Sequence, residues 1–542
     1  MTIKEPTRNP RGPQPPSPLK DQDEANPASD GQLDMRGGAN MYGAFSIETF
    51  CDQGALSLTH DDTWGFLEYT EKFTPRNFWY QDAGVKIWAY QETYDNWQNT
   101  YGMDAVRVAY HCGHGGMDAN GVFYVPMGAA WAGNDCTATS TTMRFGNEYL
   151  RYVFWSTCES LRVLGGHTPI RTWSAANLGM RMIFGFETVS WDDANYGRGF
   201  WNHWKRGESF SSAWLNSSWD IAHDQAPSVA ALGSSAEDAQ NRLANERFFY
   251  PGAASTAWWW WSWYNTAASA VRQPVLSVPR DPRLALLASP GSRSVRTVAE
   301  RFGVDESEAE QRRGFVSLGA DGRQVTVGDD GVVTAILASA NTQNRSPISR
   351  RAAIGVAEGV VRRYGLDSDA DLVLDRVVDI QEGGGSEGGD GSSEGPFTTG
   401  KLVQYRQKIN GLPVITPGSG AVQVTLDNDG TVTQVRANTR EVQELSDQPR
   451  AFTPEPSPSG DKSTSNEVRD PDSALAQAFS ERLRNSLLRG PAPIGFTTVP
   501  GTYEIGYDIR GSEAILIAQR AVQVDFDGGY SKRYWVKAPL FA

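Results

Sequence analysis

Three short segments, AVRVAY (105–110), YVFWST (152–157) and MRMIFGF (180–186), are apolar at nearly every position rather than at alternate ones. A strand wetted on one face alternates apolar and polar residues. A strand covered on both faces does not, and runs of this kind belong inside a mainly parallel sheet. Parallel neighbours need crossover connections, and the sequence between the runs offers them. DDTWGFLEYTEKF (61–73) has amphipathic spacing with an Asp cap, WSAANLG (173–179) reads as helical, and GFWNHWKRGESFSSAWLNSSWDIA (199–222) reads as a helix broken at Gly207. GAFSIETF (43–50) and VKIWAY (85–90) read as two further strands. The pattern predicts an α/β fold, a mainly parallel sheet flanked by helices.

The composition changes near residue 270. Before it Trp and Tyr are dense; after it Trp occurs once, at Trp535. QPVLSVPRDPRLALLASPGS (273–292) is a connector by its Pro and Ser content, and QEGGGSEGGDGSSEG (381–395) is a flexible linker by composition. Around them, helix SRRAAIGVAEGVVRRYG (349–365) precedes DLVLDRVVDI (371–380), KLVQYRQKINGLPVI (401–415) and AVQVTLDNDGTVTQVRA (421–437). INGLP and DNDGT are hairpin turns in which Gly supplies a positive φ. A second cycle follows, with helix DSALAQAFSERLRNSLLRG (472–490), then GTYEIGYD (501–508) and AILIAQRAVQVDFDGGYSKRYWVKA (514–538). The expected organisation is a disordered segment 1–38, an α/β domain 39–270 and a connector with short strands 271–345. A helix-plus-antiparallel-sheet unit follows at 346–445, with the Gly-Ser linker inside it, then a linker 446–471 and a second such unit 472–542.

A net charge of −14 argues against a nucleic-acid partner, since phosphate binding needs surplus Lys and Arg. No apolar run reaches the ~18–20 residues that span a bilayer. TAWWWWSWYN (256–265) is too short and reads as core or a subunit contact; Trp258–Trp261 and Trp263 have no polar constellation to make a sugar platform. The N-terminus shows no apolar region of a secretory signal. Only four cysteines occur, Cys51, Cys112, Cys136 and Cys158, too few for a disulfide scaffold, so a reducing, cytoplasmic setting with free thiols is expected.

Chemistry is concentrated in YHCGHGG (110–116), directly after AVRVAY. Ligand and catalytic groups gather at the carboxyl ends of strands in open α/β sheets. His114 follows one apolar strand and Cys158 another. If those strands are parallel neighbours, the two side chains meet across a cleft. A free thiol with pKa of about 8.5 is mostly protonated, and a nearby imidazole activates it for attack on a carbonyl. The Gly115 and Cys158 amides then suit an oxyanion hole. The bland alternatives are a buried cysteine and a loop histidine. His111, Cys112 and His114 as metal ligands is a further alternative, although their spacing matches no recognised zinc pattern. Cys51 and Cys136 read as structural thiols, and His167, His203 and His223 as packed or solvent-facing.

A hydrophobic block ending in His-Gly, followed by another ending in Cys, resembles the caspase-like fold shared by caspases, gingipains, legumains and separases. His114-Gly115 matches its catalytic His-Gly, and Cys158 its nucleophile. GMRMIFGFETVS (179–190) suits the strand after the Cys, and FWNHWKRGESFSSAW (200–214) resembles a later helix of bacterial members. The resemblance covers roughly residues 40–265. It implies a cysteine endopeptidase acting on a protein or peptide, without cofactor or metal. Glu187, Asp192 and Asp193 would border the pocket for the residue before the scissile bond and favour Arg or Lys there; the plainer reading of each is a solvated carboxylate. YRQKINGLPVI and VTLDNDGTVTQV resemble the PepSY/FTP domains of peptidase propeptides, which implies intramolecular inhibition by residues 273–542. Arg272, Arg280 and Arg283 would offer self-processing sites. The rivals are a non-catalytic scaffold of the same fold and a metal-dependent hydrolase.

Overall fold

The computed structural model describes residues 40–540 apart from 134, 268, 280–282, 290–293, 305–309, 313–314, 321–322, 369, 389–392, 447–468, 483 and 485–489. The expected N-terminal segment 1–38, Arg280 and most of the linker 446–471 lie outside the described residues. The fold is mixed α/β. Five parallel strands lie in the order Phe78–Gln81, Tyr42–Ser46, Val108–Cys112, Tyr152–Ser156 and Met182–Phe186. Pro227–Gly233 and then Trp258–Asn265 continue the sheet antiparallel. The three apolar runs are buried along their whole strand lengths, as their lack of alternation requires. On one face Phe154 stacks on Phe184 at 4.1 Å beneath Phe66, Phe200 and Trp214 of the helices. On the other face Trp155 packs against Phe123 and Trp173.

Several local expectations are corrected. The first helix is Thr59–Thr70, and no side chain caps it. Asp62 points inward instead, accepting from Tyr110 Oη (2.8 Å), Ser156 Oγ (2.8 Å) and the Gly197 amide (2.8 Å). The run 85–90 forms a single 3-10 turn, Ile87–Ala89, rather than a strand. Its apolar side chains are buried, but the sheet edge is taken by Phe78–Gln81, so continuity here reports burial alone. The helix near 173 is Pro169–Trp173, set by its Thr168 cap, which accepts from the Arg171 amide. The break at Gly207 occurs as expected: with φ at +103° it ends Tyr196–Lys205, and Ser209 caps Phe210–Ile221.

The sheet does not stop at the Trp-rich strand. Trp258–Asn265 pairs antiparallel with Asp371–Ser386, which pairs with Ser393–Ile409. Ala421–Asp427, Val432–Ala437, Val333–Ile336 and Arg323–Gly328 follow in one continuous sheet. Helices Arg350–Arg363 and Val295–Phe302 share a core with these strands, so part of the expected connector belongs to this unit. Within the Gly-Ser segment, residues 381–386 and 393–395 are likewise not a flexible linker but lie in paired strands. A Cβ at Gly384 would lie 1.9 Å from Trp260 Cε3, and one at Gly383 2.8 Å from Trp261 Nε1. The indoles fill the space that side chains would need, so the glycines order against them. Arg436 and Asp220, 2.7 Å apart, and His203 between Glu208 and Asp220 seal the seam.

A second sheet is built around Glu513–Asp525, which pairs with Glu504–Arg510, Ser531–Pro539, Gly495–Thr498 and Leu284–Leu287. Helix Pro471–Arg482 packs on it. No helix among the described residues is long and apolar enough to cross a membrane. Gly384→Ala should overpack the Trp seam and destabilise the protein by about 1–3 kcal/mol, read as a lower urea midpoint.

Candidate active site

Val108–Cys112 and Tyr152–Ser156 are parallel neighbours, with Cys112 opposite Ser156. The condition for bringing His114 and Cys158 to one edge is therefore met, since each lies two residues beyond its strand. The loops touch: a Cβ at Gly115 would fall 2.9 Å from both the Cys158 carbonyl oxygen and Thr157 Cβ. Only glycine permits this approach. Directly after Cys158, Glu159 has φ of +52°, a left-handed conformation rare outside glycine. Backbone strain of this kind is held only where the surroundings fix it, and here the Glu159 amide donates to the Thr188 carbonyl and its carboxylate accepts from the Met117 amide.

His114 is fully buried between Phe50 and Phe526, both 4.7 Å away, with Tyr530 at 5.7 Å. Its Nε2 lies 3.0 Å from the Gly54 carbonyl. A carbonyl only accepts, so Nε2 carries the proton and Nδ1 keeps its lone pair; Nδ1 is buried without a hydrogen-bond partner. Burial, and secondly the Lys532 ammonium, push the imidazole down to about 3, against the pull of the Gly54 carbonyl. His114 is thus a neutral base at neutral pH.

Cys158 is also buried and is a free thiol. Its Sγ accepts from the Ser190 amide at 3.3 Å, and its S–H donates to the Ser531 carbonyl at 3.1 Å. Ser531 begins the strand Ser531–Pro539, which lies across the thiol. The Arg533 amide donates to the Ser190 carbonyl (3.3 Å) and the Asp192 amide to the Arg533 carbonyl (3.0 Å), forming a parallel bridge between Trp191 and Arg533. Trp535 stacks on Trp191 at 4.4 Å, and Arg533 pairs with Asp224 at 3.0 Å. Lys532 is 1% exposed, and its Nζ donates to Ser190 Oγ at 2.8 Å.

The other expected site residues separate. His111 and Cys112 point to opposite faces: His111 Nδ1 meets Tyr90 Oη at 2.8 Å, while Cys112 packs beside Tyr110 on the helix-covered face. They do not converge with His114, and no group of three His, Cys, Asp or Glu able to hold a metal occurs among the described residues. Glu187 spends its carboxylate on the Val163 and Leu164 amides, and burial pushes it up to about 7. Asp192 accepts from the Ser57 amide and hydroxyl, and Asp193 from Asn195. Asp192 and Asp193 line a cavity of about 430 Å³ with Trp535, Lys537 and Arg482. Arg272 is held by Asp375 (3.2 Å) and Glu504 (2.5 Å), and the Arg283 carbonyl accepts from Tyr507.

Cys51 and Cys136 are not separate thiols but a disulfide. A sequence separation of 85 hides the pairing; the Cys51 amide, donating to the Met127 carbonyl, brings the 50s loop onto the same hairpin as Cys136. Disulfides persist in oxidising compartments, so the ground for a reducing setting is gone. Ser190, Gly54, Phe526, Tyr530 and Lys532 were also not legible as site residues. A signal existed for Lys532: in SKRYWVKA a period of two sets it on the face of Tyr534, Val536 and Ala538, where a charge is out of place.

Residues 40–263 match a family described as a domain of unknown function, DUF6345. The match covers less than half of the chain. It includes His114, Cys158 and Ser190 and ends inside the Trp-rich strand, before the units that cover the site. No curated protein matches the chain.

Nitrogen chemical shifts should report His114 as the Nε2-protonated neutral tautomer, unchanged until the pH approaches about 3; titration near the ordinary histidine value would contradict the buried geometry. Non-reducing peptide mapping should recover Cys51 linked to Cys136, with Cys112 and Cys158 free. Closing a loop across a separation of 85 stabilises by about 4.5 kcal/mol in the chain-entropy picture, so reduction should lower the urea midpoint.

Proposed function

We propose that residues 40–265 are a caspase-like cysteine endopeptidase domain, and that the C-terminal units hold it latent. The observation that carries this reading is a peptide already at the thiol: the Ser531 carbonyl 3.1 Å from Cys158 Sγ, on a strand bridged to residues 190–192. A surface that pairs with an extended backbone beside a free thiol is what a peptide substrate needs. The adjacent loop supplies a base with an open lone pair, His114 Nδ1.

In the reaction, the Cys158 thiol passes its proton to His114 Nδ1 and the sulfur attacks the carbonyl carbon of a bound peptide. The oxygen takes the negative charge beside the Gly115 and Cys158 amides. Protonated His114 returns its proton to the leaving nitrogen as the C–N bond breaks. Water, giving a proton to His114, then cleaves the thioester and frees Cys158. The Gly54 carbonyl fixes the ring tautomer throughout, as a carbonyl or carboxylate partner commonly does. Asp192 and Asp193 remain candidates for drawing cationic substrates to the cavity they line, whereas Glu187 is committed to its loop amides.

Complete burial of Cys158 and His114 favours a second reading, a scaffold that keeps the fold without turnover. Thiol labelling at about pH 6.5 separates the two. In the latent enzyme, iodoacetamide should modify Cys158 slowly in the full chain and about tenfold faster in Trp535→Ala, with the gain lost in Trp535→Ala/His114→Ala. Cys112, also buried and free, serves as the unreactive control. A slow Cys158 in every variant supports the scaffold.

A further inference from the structure

The disulfide lies beside the candidate site, not on a remote surface. Residues 48–56 form a loop closed at its neck by the Leu56 amide, which donates to the Glu48 carbonyl at 3.0 Å. The loop carries Cys51 at the exposed surface and sets Phe50 and the Gly54 carbonyl on His114. Cys136 sits on the strand Asp135–Thr139, which pairs with the strand Phe123–Trp131 that carries Tyr124. The tip of the C-terminal hairpin, residues 526–530, touches both of these walls. A Cβ at Gly54 would lie 2.2 Å from Phe526 Cδ1, and one at Gly528 3.4 Å from Gln53 Nε2. On the hairpin wall, Tyr530 meets Tyr124 edge-on at 5.2 Å, and a Cβ at Gly529 would lie 3.3 Å from Tyr124 Oη. Ser531, whose carbonyl accepts from the Cys158 thiol, is the next residue of the chain.

We propose that the Cys51–Cys136 pair is a redox switch on access to Cys158. Oxidised, it clamps the two walls around residues 526–530 and keeps the thiol covered. Reduced by a dithiol, it lets the tip leave His114 and uncovers the thiol. The inference rests on the latent-peptidase reading above. Exposure of Cys51 lets a reductant reach the bond while Cys112 and Cys158 stay buried. A thiolate of the dithiol attacks Cys51 Sγ, the S–S bond breaks, and Cys136 leaves as a thiolate that takes up a proton. The second thiolate of the dithiol then attacks the mixed disulfide, and Cys51 leaves and is protonated in the same way. The dithiol departs as its own disulfide, having given two electrons to the pair. The loop keeps its ends when the clamp is gone: Asp82 accepts from the Glu48 and Thr49 amides at 2.8 and 2.9 Å, and Asp192 from the Ser57 amide at 3.1 Å. Reduction therefore loosens the socket locally and leaves the domain folded.

The test maps iodoacetamide labelling of the full chain at about pH 6.5 in three forms. These are the oxidised protein, protein treated with dithiothreitol that is removed before labelling, and Cys51→Ser/Cys136→Ser, which needs no reductant. Should the double variant not unfold cooperatively, the dithiothreitol-treated chain carries the comparison. Cys158 should be modified about tenfold faster in the reduced and double-serine forms than in the oxidised one, with Cys112 unchanged. Reoxidation should restore the slow rate. A Cys158 that stays slow after reduction but is fast in Trp535→Ala would overturn the switch and leave the latent-peptidase reading intact. Labelling of Cys112 that rises together with Cys158 would mean general unfolding and would also overturn the switch. A Cys158 that is slow in every form, Trp535→Ala included, would overturn both.

Discussion

The Asp62 carboxylate accepts at once from Tyr110 and Ser156, on the two strands that carry the site, and from Gly197 at the start of a covering helix. It is fully buried, and burial pushes its pKa up to about 6 although hydrogen bonds from Gly197, Ser156, Tyr110 and Cys112 favour the charged form. A buried carboxylate is tolerable only while those donors stay in place. A slip of either strand by one residue would turn Tyr110 or Ser156 to the other face and strand the charge. Asp62 therefore fixes the register that makes Cys112 face Ser156, and with it the level at which His114 and Cys158 leave the sheet.

The second constraint is the Trp seam. Trp259, Trp260, Trp261 and Trp263 are all buried in a strand with neighbours on both sides. Such bulk on both faces demands a partner strand that yields space, and Gly383 and Gly384 provide it. The α/β domain and the first antiparallel unit thus share one sheet instead of being joined by a tether. The second unit docks on this body through Leu412–Pro413 against Glu504–Arg510 and through the bridge from Val414 to Tyr507. From there its hairpin reaches back, setting Phe526 and Tyr530 on His114. The α/β domain is shaped for this visitor: a Cβ at Gly54 would fall 2.2 Å from Phe526 Cδ1, and Gly54 is the residue whose carbonyl orients His114.

How far the sequence could be read follows from range. The parallel strands, the Gly207 break, the INGLP turn and the His114 and Cys158 loops each depend on local pattern, and each is where the pattern indicated. The 85–90 run failed because a buried coil and a buried strand have the same composition. The Gly-rich arm failed because its order comes from indoles more than 100 residues away, and the disulfide failed for the same reason of distance. The strand covering Cys158 comes from 373 residues further along, so no local rule connects them. The resemblance alone puts Glu187, Asp192 and Asp193 beside a substrate pocket, but carboxylates near a site are first claimed by nearby amides and hydroxyls, as Glu187 and Asp192 are.

Closure of the site balances opposing terms of similar size. Taking an ammonium out of water costs several kcal/mol, and a hydrogen bond involving a charged group returns about 1.5–3 kcal/mol. Lys532 therefore works against closure, and other contacts must offset it. They lie around the thiol rather than on it: the Trp191–Trp535 stack, Arg533 on Asp224, and Phe526 and Tyr530 on His114. A cover held at its rim and penalised at its centre can open without unfolding the body beneath it.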